Sequence, residues 1–319
     1  MQPFDDIRKL TTNLPKGDLD AEQRVKDKLS TALSGLRPLG RLDTAVSWLA
    51  RWQATDEPAL SQPLVSVFVG SHQVTKFILD AEPVEGAQAR IASLSSGAAS
   101  VRGIAGAESA FFKLFEMGIT APAADMRTEP SLSERDCAGA IAYGMEVVAE
   151  DCDIIVIGNA GFGTATAAAG ISRSLFGGAA GYWAGGQGAQ VARHIEAVEM
   201  AAETHKDMLG DPLEILRRFG GRDIAGMVGA ILAARHQKIP VLLDGYAVCA
   251  AAAILHALNP AALDHCMAAH ITVEPAHGAL LDRIAKTPLL DFGMGIGDGS
   301  GATLALGVIR AAVAGAREL

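Results

Sequence analysis

A short run of β-branched residues in front of a glycine-rich loop constrains the fold of this chain more than any other feature. Ile154 to Ile157 is continuously apolar, which is typical of a strand buried on both faces of a parallel sheet. The loop Gly158 to Thr164 follows at once, and an Ala-rich segment that predicts a helix follows the loop. A strand, a loop and a helix in this order predict an α/β unit, with the loop at the carboxyl end of the strand.

The same order of elements recurs along the chain. Residues 1–60 are predicted to be mostly helical. Beyond them, helical segments of roughly 10 to 15 residues alternate with further predicted strands, which lie at 64–69, 111–118, 239–243 and 267–273. Right-handed β-α-β crossovers then give a parallel sheet with helices on both faces, which is a Rossmann-like α/β fold.

Two helix starts are predicted from capping residues. Ser131 and Glu134 form an S-x-x-E capping box ahead of an apolar stripe. Asp223 is predicted to cap a second helix, whose apolar residues recur at intervals of three and four. The histidines outside the motifs described below, His72 among them, are interpreted as scattered surface or core polar groups.

Composition excludes several classes of protein. The chain has 319 residues, with 27 Lys and Arg against 36 Asp and Glu and a net charge of −9, and no basic run suits it to nucleic acid. Its longest uncharged apolar stretch, Ala247 to Leu255, is far shorter than the ~18–20 residues of a membrane span. The N-terminus lacks an apolar leader segment, and no cysteines form a C-x-x-C pair. We therefore expect a cytoplasmic protein with reduced thiols and with neither nucleic-acid nor membrane partners.

The loop Gly158 to Thr164 is a candidate site for an anion such as phosphate. Backbone N–H groups and a helix N-terminus would face the ligand. The loop matches neither a Walker A motif nor a dinucleotide fingerprint, because no Lys follows the glycines and their spacing differs. The alternative is that the glycines only let the helix pack closely on the strand.

A second glycine loop, Gly293 to Gly301, surrounds Asp298 and Ser300. Its backbone could approach a ligand closely while the carboxylate projects into the same space. The alternative is that Asp298 or Ser300 is only a helix cap. A third pattern, His270, Glu274 and His277, has the spacing H-x3-E-x2-H, but the proline after the Glu disfavours a metal site.

Several blocks of this sequence resemble one enzyme family. The strongest are DPLEILRRFGGRDIAGMVGAIL, IPVLLDGYAVCAAAAI, HITVEPAHGALL and PLLDFGMGIGDGSGATLAL. In this order they resemble the nicotinate-nucleotide:dimethylbenzimidazole phosphoribosyltransferases of cobalamin assembly. Weaker matches at LRPLGRLD, SGAASVRGIAG and IGNAGFGTATAAAGI extend the resemblance over nearly the whole chain.

The resemblance implies a reaction and an architecture. Ribose 5-phosphate would pass from nicotinate mononucleotide to 5,6-dimethylbenzimidazole or a related base, which gives an α-ribotide for the lower ligand of cobalamin. The family implies a large α/β domain, placed here at 61–300, and a smaller helical domain made of 1–60 with 301–319. It further implies a homodimer, no cofactor and no metal.

Site residues can be carried over from the resemblance one at a time. Asp298 stands where the family has its general base, a Glu one methylene longer, and Asn159 replaces another family Glu. His194 stands where the family has a Lys, and Gln88 is a candidate contact of the acceptor base. The remaining candidate contacts, to the phosphate and ribose, are Gly161, Gly163, Thr164, Gly297, Gly299 and Ser300.

These departures leave alternatives open. The family's aromatic base pocket is reduced here to DAEPVEGAQ, with Asp80 and Glu82 where Ser and Tyr are expected. The acceptor base could therefore differ, or the chain could be a non-catalytic relative that binds a nucleotide or ribazole as a carrier or regulator. A dinucleotide-dependent oxidoreductase is disfavoured, because no G-x-G-x-x-G followed by a ribose-binding acid is present.

Overall fold

The computed structural model describes residues 3–32, 40–149, 151–186 and 188–318. Helices α1–α8 in this part of the chain are Pro3–Thr12, Leu19–Ala32, Arg41–Gln53, Thr75–Ile78, Pro83–Ser95, Ser100–Ala107, Glu134–Gly144 and Thr164–Phe176. Helices α9–α15 are Ala180–Ala184, Val191–His205, Pro212–Phe219, Arg222–Gln237, Gly245–Leu258, His277–Arg283 and Ser300–Arg317. Short 3-10 helices lie at Met145–Ala149, Lys206–Met208 and Pro260–Leu263.

The strands of the described residues form two parallel sheets. Strands β1–β7 are Pro63–Val69, Phe111–Glu116, Ile154–Asn159, Val241–Leu243, Cys266–Ala268, His270–Thr272 and Leu290–Met294. The first sheet has the order β2-β1-β3-β4-β5, and every neighbouring pair in it is parallel. The second sheet is the parallel pair β6-β7.

Helices cover both faces of the first sheet, as the sequence predicts. Alternate residues of each central strand point to opposite faces, so that β1 sends Leu64 and Phe68 to one core and Val65 and Val67 to the other. The first core includes residues of α1, α7, α8 and α10–α14, and the second includes residues of α2, α3, α5, α6 and α15. Burial of β-branched residues on both faces explains the continuous apolar run of β3.

The predicted strand at 267–273 is wrong as a single element. Residues 266–268 pair with β4 in the first sheet, whereas 270–272 pair with β7 in the second. The backbone N–H of Ala269, between the two strands, still donates to Leu243 O of the first sheet, whereas its own carbonyl accepts the N–H of Leu290 in β7. Strand β7 was not predicted, because its residues are exposed or half-buried and include Gly293, so they lack an apolar pattern.

Both predicted helix caps are also corrected. The hydroxyl of Ser133, not of Ser131, accepts the N–H of Asp136 at the start of α7. Ser131 is buried and donates its hydroxyl hydrogen bond to Arg218 O. Asp223 lies inside α12 and is completely buried, and its carboxylate bonds side chains of other elements.

The partition of the chain into 61–300 and 1–60 with 301–319 stays a prediction. Helix α15 packs against α3, as that partition requires, but Phe4 and Ile7 of α1 belong to the core on the other face of the sheet. The four cysteines are free thiols, and three of them are buried. No helix in the described ranges combines the length and the apolar character needed to cross a membrane.

Candidate active site

A cavity of about 360 Å³ lies where the order of the first sheet reverses. The chain moves from β1 outward to β2 and then returns to β3 on the other side of β1, so the connections leave the carboxyl ends of β1 and β3 in opposite directions. Such a reversal opens a crevice in which ligands of α/β proteins bind. Asn159, Gly161 and Thr164 line the cavity from the first glycine loop, and Gly297 and Asp298 line it from the second.

Close contacts between backbones hold the two glycine loops together. The N–H of Asn159 donates to Gly297 O at 2.7 Å. A Cβ at Gly158 would lie 2.4 Å from the backbone N of Gly299, so no larger residue fits there. The two motifs that the sequence places 135 residues apart (293 minus 158) therefore form one surface of the cavity.

Asp298 both lines the cavity and caps a helix. Its Oδ1 accepts the N–H of Ser300 at 3.0 Å at the start of α15, and only 5% of the residue is exposed. Burial raises the pKa of the Asp298 carboxyl, hydrogen bonds from Ser300 act against this, and the charge of Asp244 adds to it. The capping role is thus real, but it leaves the carboxyl at the cavity wall with increased affinity for a proton.

Asp244 anchors the loop that carries Asp298. This carboxylate is fully buried at the end of β4 and accepts two N–H groups at the start of α15, from Gly299 at 2.7 Å and from Ala302 at 2.6 Å. Nε2 of His270 lies 2.9 Å from Asp244 Oδ1. Burial opposes the charge of His270, but the hydrogen bond and charge of Asp244 outweigh it and raise the imidazole pKa.

A second buried carboxylate, Asp223, supports the first glycine loop. Its Oδ2 accepts hydrogen bonds from Nδ2 of Asn159 at 2.9 Å and from the hydroxyl of Thr164 at 2.6 Å, and His72 Nε2 lies 3.1 Å from Oδ1. Burial alone would raise the pKa of Asp223, but the charge and hydrogen bond of His72, with those from Thr164 and Asn159, lower it to about 2. A Cβ at Gly161 would lie 2.2 Å from Asp223 Oδ2, which explains the glycine there.

The two helices that begin at the glycine loops differ in how their N-termini are capped. Helix α15 begins beneath the carboxylates of Asp244 and Asp298, which accept three of its first N–H groups. Helix α8 begins after Gly163, which has φ of 97° and provides no side-chain cap. Asp223 contacts the side chain of Thr164 at the start of α8, but in the described residues no carboxylate takes a backbone N–H of that first turn. The N–H groups of α8 can therefore face an added anion, whereas those of α15 are already bound by carboxylates.

A second and larger cavity, of about 720 Å³, lies beside the first. Thr166 and His194 line it, and the hydroxyl of Thr166 hydrogen-bonds Nδ1 of His194 at 2.6 Å. Burial lowers the pKa of His194. The two cavities share Ala165, Tyr246 and Glu274 as wall residues, so they lie next to each other, and we describe them together as a two-part cleft.

The remaining predicted residues lie outside the first cavity wall. Gln88 is exposed on α5 and lines neither cavity, whereas Arg90, two residues further on, lines the first. Gly299 and Ser300 are at the buried start of α15, where the hydroxyl of Ser300 lies 3.3 Å from that of Ser100, a wall residue.

Sequence patterns did not identify four residues that shape this site. They are His72 and Asp223 beneath the first loop, Asp244 beneath the second, and Arg90 in the first cavity wall. Burial lowers the pKa of Arg90, while the charge of Asp298 acts against this. An Asp at the end of a predicted strand was a usable signal for Asp244. The long-range contacts of the other three leave no trace in local spacing.

The H-x3-E-x2-H pattern does not converge on one point. His270 pairs with Asp244, whereas His277 Nδ1 lies 2.7 Å from the hydroxyl of Thr272 and its Nε2 lies 3.4 Å from Cys249 Sγ. Glu274 lies instead between the two cavities. Within the described residues, no group of three or more His, Cys, Asp or Glu side chains could hold a metal ion.

The fold and the two-part cleft agree with the phosphoribosyltransferase class: residues 14–319 match the family described as phosphoribosyltransferase. A protein of Agrobacterium fabrum named nicotinate-nucleotide–dimethylbenzimidazole phosphoribosyltransferase is 44% identical over 98% of this chain and 92% of its own length. One of the same name from Rhizobium meliloti is 44% identical over 98% of this chain and 93% of its own. This chain belongs to the nicotinate-nucleotide–dimethylbenzimidazole phosphoribosyltransferase family.

Solved structures agree with this assignment. A crystal structure of the nicotinate-nucleotide–dimethylbenzimidazole phosphoribosyltransferase from Thermus thermophilus superposes with a TM-score of 0.85. It covers 94% of this chain and 96% of its own, at 26% sequence identity. The predicted family and the predicted α/β fold are both confirmed.

Proposed function

We propose that this chain transfers ribose 5-phosphate from nicotinate mononucleotide to 5,6-dimethylbenzimidazole or a related aromatic base. The observation that carries the proposal is the buried carboxyl of Asp298 at the wall of a cavity, beside a helix N-terminus without a side-chain cap. One group can accept a proton from an attacking base, and the other can bind a phosphate. The family membership of the chain supports the same reaction.

Asp298 is the proposed general base. The ring nitrogen of the acceptor attacks C1′ of the ribose, the bond from C1′ to the pyridinium nitrogen breaks, and the acceptor's ring proton passes to the carboxylate. Nicotinate leaves with the electron pair of the broken bond and loses the positive charge of its ring, so the leaving group needs no acid. Attack from the face opposite nicotinate converts a β-nucleotide into an α-ribotide. The raised pKa of Asp298 makes it a better proton acceptor than an exposed Asp.

The phosphate is proposed to bind at the N-terminus of α8. Ala165 lines both cavities and Thr166 lines the second, so the first turn of α8 faces the cleft. The helix dipole and N–H groups there favour an anion. His194 lines the second cavity beside Thr166, to which it is hydrogen-bonded, and can donate to a phosphate oxygen. Gly161 and Thr164 line the first cavity, so they are proposed to contact the ribose side of the donor, and Gly163 is proposed to act by setting the start of α8.

The acceptor base is proposed to occupy the first cavity. Asp298 and Gly297 form one wall, and Arg90 and Leu94 of α5 form another. In this arrangement the ribose spans the two cavities, and the new bond from its C1′ to the acceptor nitrogen forms at their boundary. Gly299 and Ser300 would act by fixing the position of Asp298 and not by contact with phosphate, because two carboxylates occupy that helix start.

The proposal is tested by incubating the protein with nicotinate mononucleotide and a panel of benzimidazoles, purines and phenols. We expect base-dependent release of nicotinate together with an α-ribotide. Binding of the nucleotide without release under any condition would contradict the proposal and would support the non-catalytic carrier or regulator instead. The same panel identifies the acceptor base.

Assembly and location are part of the same proposal. We infer a homodimer in the cytoplasm, as the family resemblance implies. Sedimentation of the purified chain measures its mass directly. A species of 33.0 kDa, the mass of one chain, would contradict the dimer.

A further inference from the structure

Glu274 occupies a position that the proposed reaction leaves without a role. It follows β6 in the turn before α14 and lines both cavities. The N–H of His277 donates to Glu274 O at 2.9 Å, and Pro275 follows directly, so the backbone of this turn is constrained. The side chain therefore stands at a defined place on the boundary between the two parts of the cleft.

Glu274 is also incompletely satisfied. Its Oε2 is shielded from solvent and has no hydrogen-bond partner among the residues that the structure describes. A buried carboxylate oxygen without a donor is energetically costly, and such a cost is removed when a ligand supplies the donor. The terminal torsion of a Glu side chain turns easily, so either oxygen can be presented to the cleft.

The other two residues shared by the cavities offer no charged acceptor. Ala165 has no polar side chain, and Tyr246 is 4% exposed, with a neutral hydroxyl that donates to Trp183 O at 3.3 Å. Glu274 is thus the shared wall residue that presents a carboxylate, which is a stronger acceptor than a neutral hydroxyl. A ligand group that spans the boundary must provide donors if it is to pair with Glu274.

The inference rests on the proposed function, which places the phosphate in one cavity, the base in the other and the ribose between them. A ribose carries two neighbouring hydroxyl donors, and a carboxylate is a common partner of such hydroxyls in nucleotide sites. We propose that Glu274 accepts hydrogen bonds from the ribose hydroxyls of the donor and so selects ribosyl over deoxyribosyl nucleotides. Phosphate cannot take this place, because like charges would be brought together.

Donor analogues that lack the 2′- or the 3′-hydroxyl test the inference directly. In the wild type, at least one deoxy donor should have kcat/KM lower than nicotinate mononucleotide by roughly 10- to 100-fold, the range for a hydrogen bond to a charged group. In Glu274→Ala, kcat/KM with nicotinate mononucleotide should fall toward the value for the deoxy donor, so that the preference for the hydroxyl disappears. Glu274→Gln keeps the size of the side chain and should retain part of the preference.

A matched control is Glu203→Ala, which removes an exposed carboxylate of α10 outside both cavities and should keep the wild-type preference. An active Glu274→Ala or Glu274→Gln variant with the full wild-type preference would overturn the inference and leave the proposed reaction intact. Equal kcat/KM of the wild type with nicotinate mononucleotide and with both deoxy analogues would also overturn the inference and leave the proposed reaction intact. If the wild type releases no nicotinate from any donor, the proposed function itself fails, and the inference fails with it.

Discussion

The carboxylate of Asp244 accepts the backbone N–H of Gly299 at 2.7 Å, and through this contact the end of β4 holds the loop that carries Asp298. The contact joins residues 55 positions apart and is completely buried. The position of the proposed general base is therefore set by a second carboxylate, which itself has no place in the cavity wall.

Asp244→Asn tests this support. The amide replaces one acceptor by a donor, so an N–H at the start of α15 meets another N–H, and His270 loses its charged partner. We expect the free energy of unfolding to fall by about 1–3 kcal/mol, together with a loss of turnover. Urea denaturation and nicotinate release measure the two effects. The exposed Asp207→Asn is the control, and equal stability of the two variants would contradict the supporting role.

Asp223 predicts how the protein responds to acid. Its pKa is lowered from 3.8 to about 2, so the folded state binds its proton less tightly than the unfolded state does. The stabilisation is therefore complete above about pH 4 and is lost as the pH falls through 3.8 toward 2, to an extent on the order of 2 kcal/mol. Urea denaturation at pH 5 and pH 3 should show a steeper loss in the wild type than in Asp223→Asn. Parallel losses in the two proteins would contradict this account.

Local sequence patterns predicted much of the fold, and the strands that they missed were missed for physical reasons. Strand β3 was predicted because residues buried on both faces leave a continuous apolar run, and β1 was predicted from its β-branched residues on both sides of Ser66. Strand β7 has exposed and half-buried residues and therefore leaves none. The break at Ala269 is also invisible in the sequence, because apolar residues continue across the point where the chain changes sheets.

The site was predicted less completely than the fold. Both glycine loops and Asp298 were identified, since strand–loop–helix order is local. Asp223 was interpreted as a helix cap, although its carboxylate meets His72 across 151 positions and Asn159 across 64. Such contacts depend on how the strands are ordered in the sheet, which local spacing does not encode.

The proposed contact between His194 and the phosphate predicts how substitutions at this position change KM for the donor. Burial lowers its pKa, so at neutral pH it offers a hydrogen bond without a full charge. His194→Ala should raise KM for nicotinate mononucleotide by roughly tenfold, and His194→Lys should lower KM by restoring a cation. The riboside without a phosphate is the control, since neither variant should change its KM. An equal effect on both donors would contradict the assignment.

Asp298 predicts the acidic limb of the pH–rate profile. A base works only when deprotonated, and burial raises the pKa of this carboxyl above its usual value of 3.8. At saturating substrates, kcat should therefore fall as the pH decreases through a value above 3.8. Circular dichroism over the same range separates titration from unfolding. A fall in kcat centred at or below 3.8 in the folded protein would contradict the raised pKa.

Substitution of Asp298 tests the central claim most directly, because the carboxyl at this position is proposed to take the proton of the acceptor base. The measurement is the rate of α-ribotide formation from nicotinate mononucleotide by the wild type, Asp298→Ala and Asp298→Glu. The account predicts that the Ala variant loses the activity, whereas the Glu variant retains or increases it. Equal rates in the wild type and the Ala variant would contradict it.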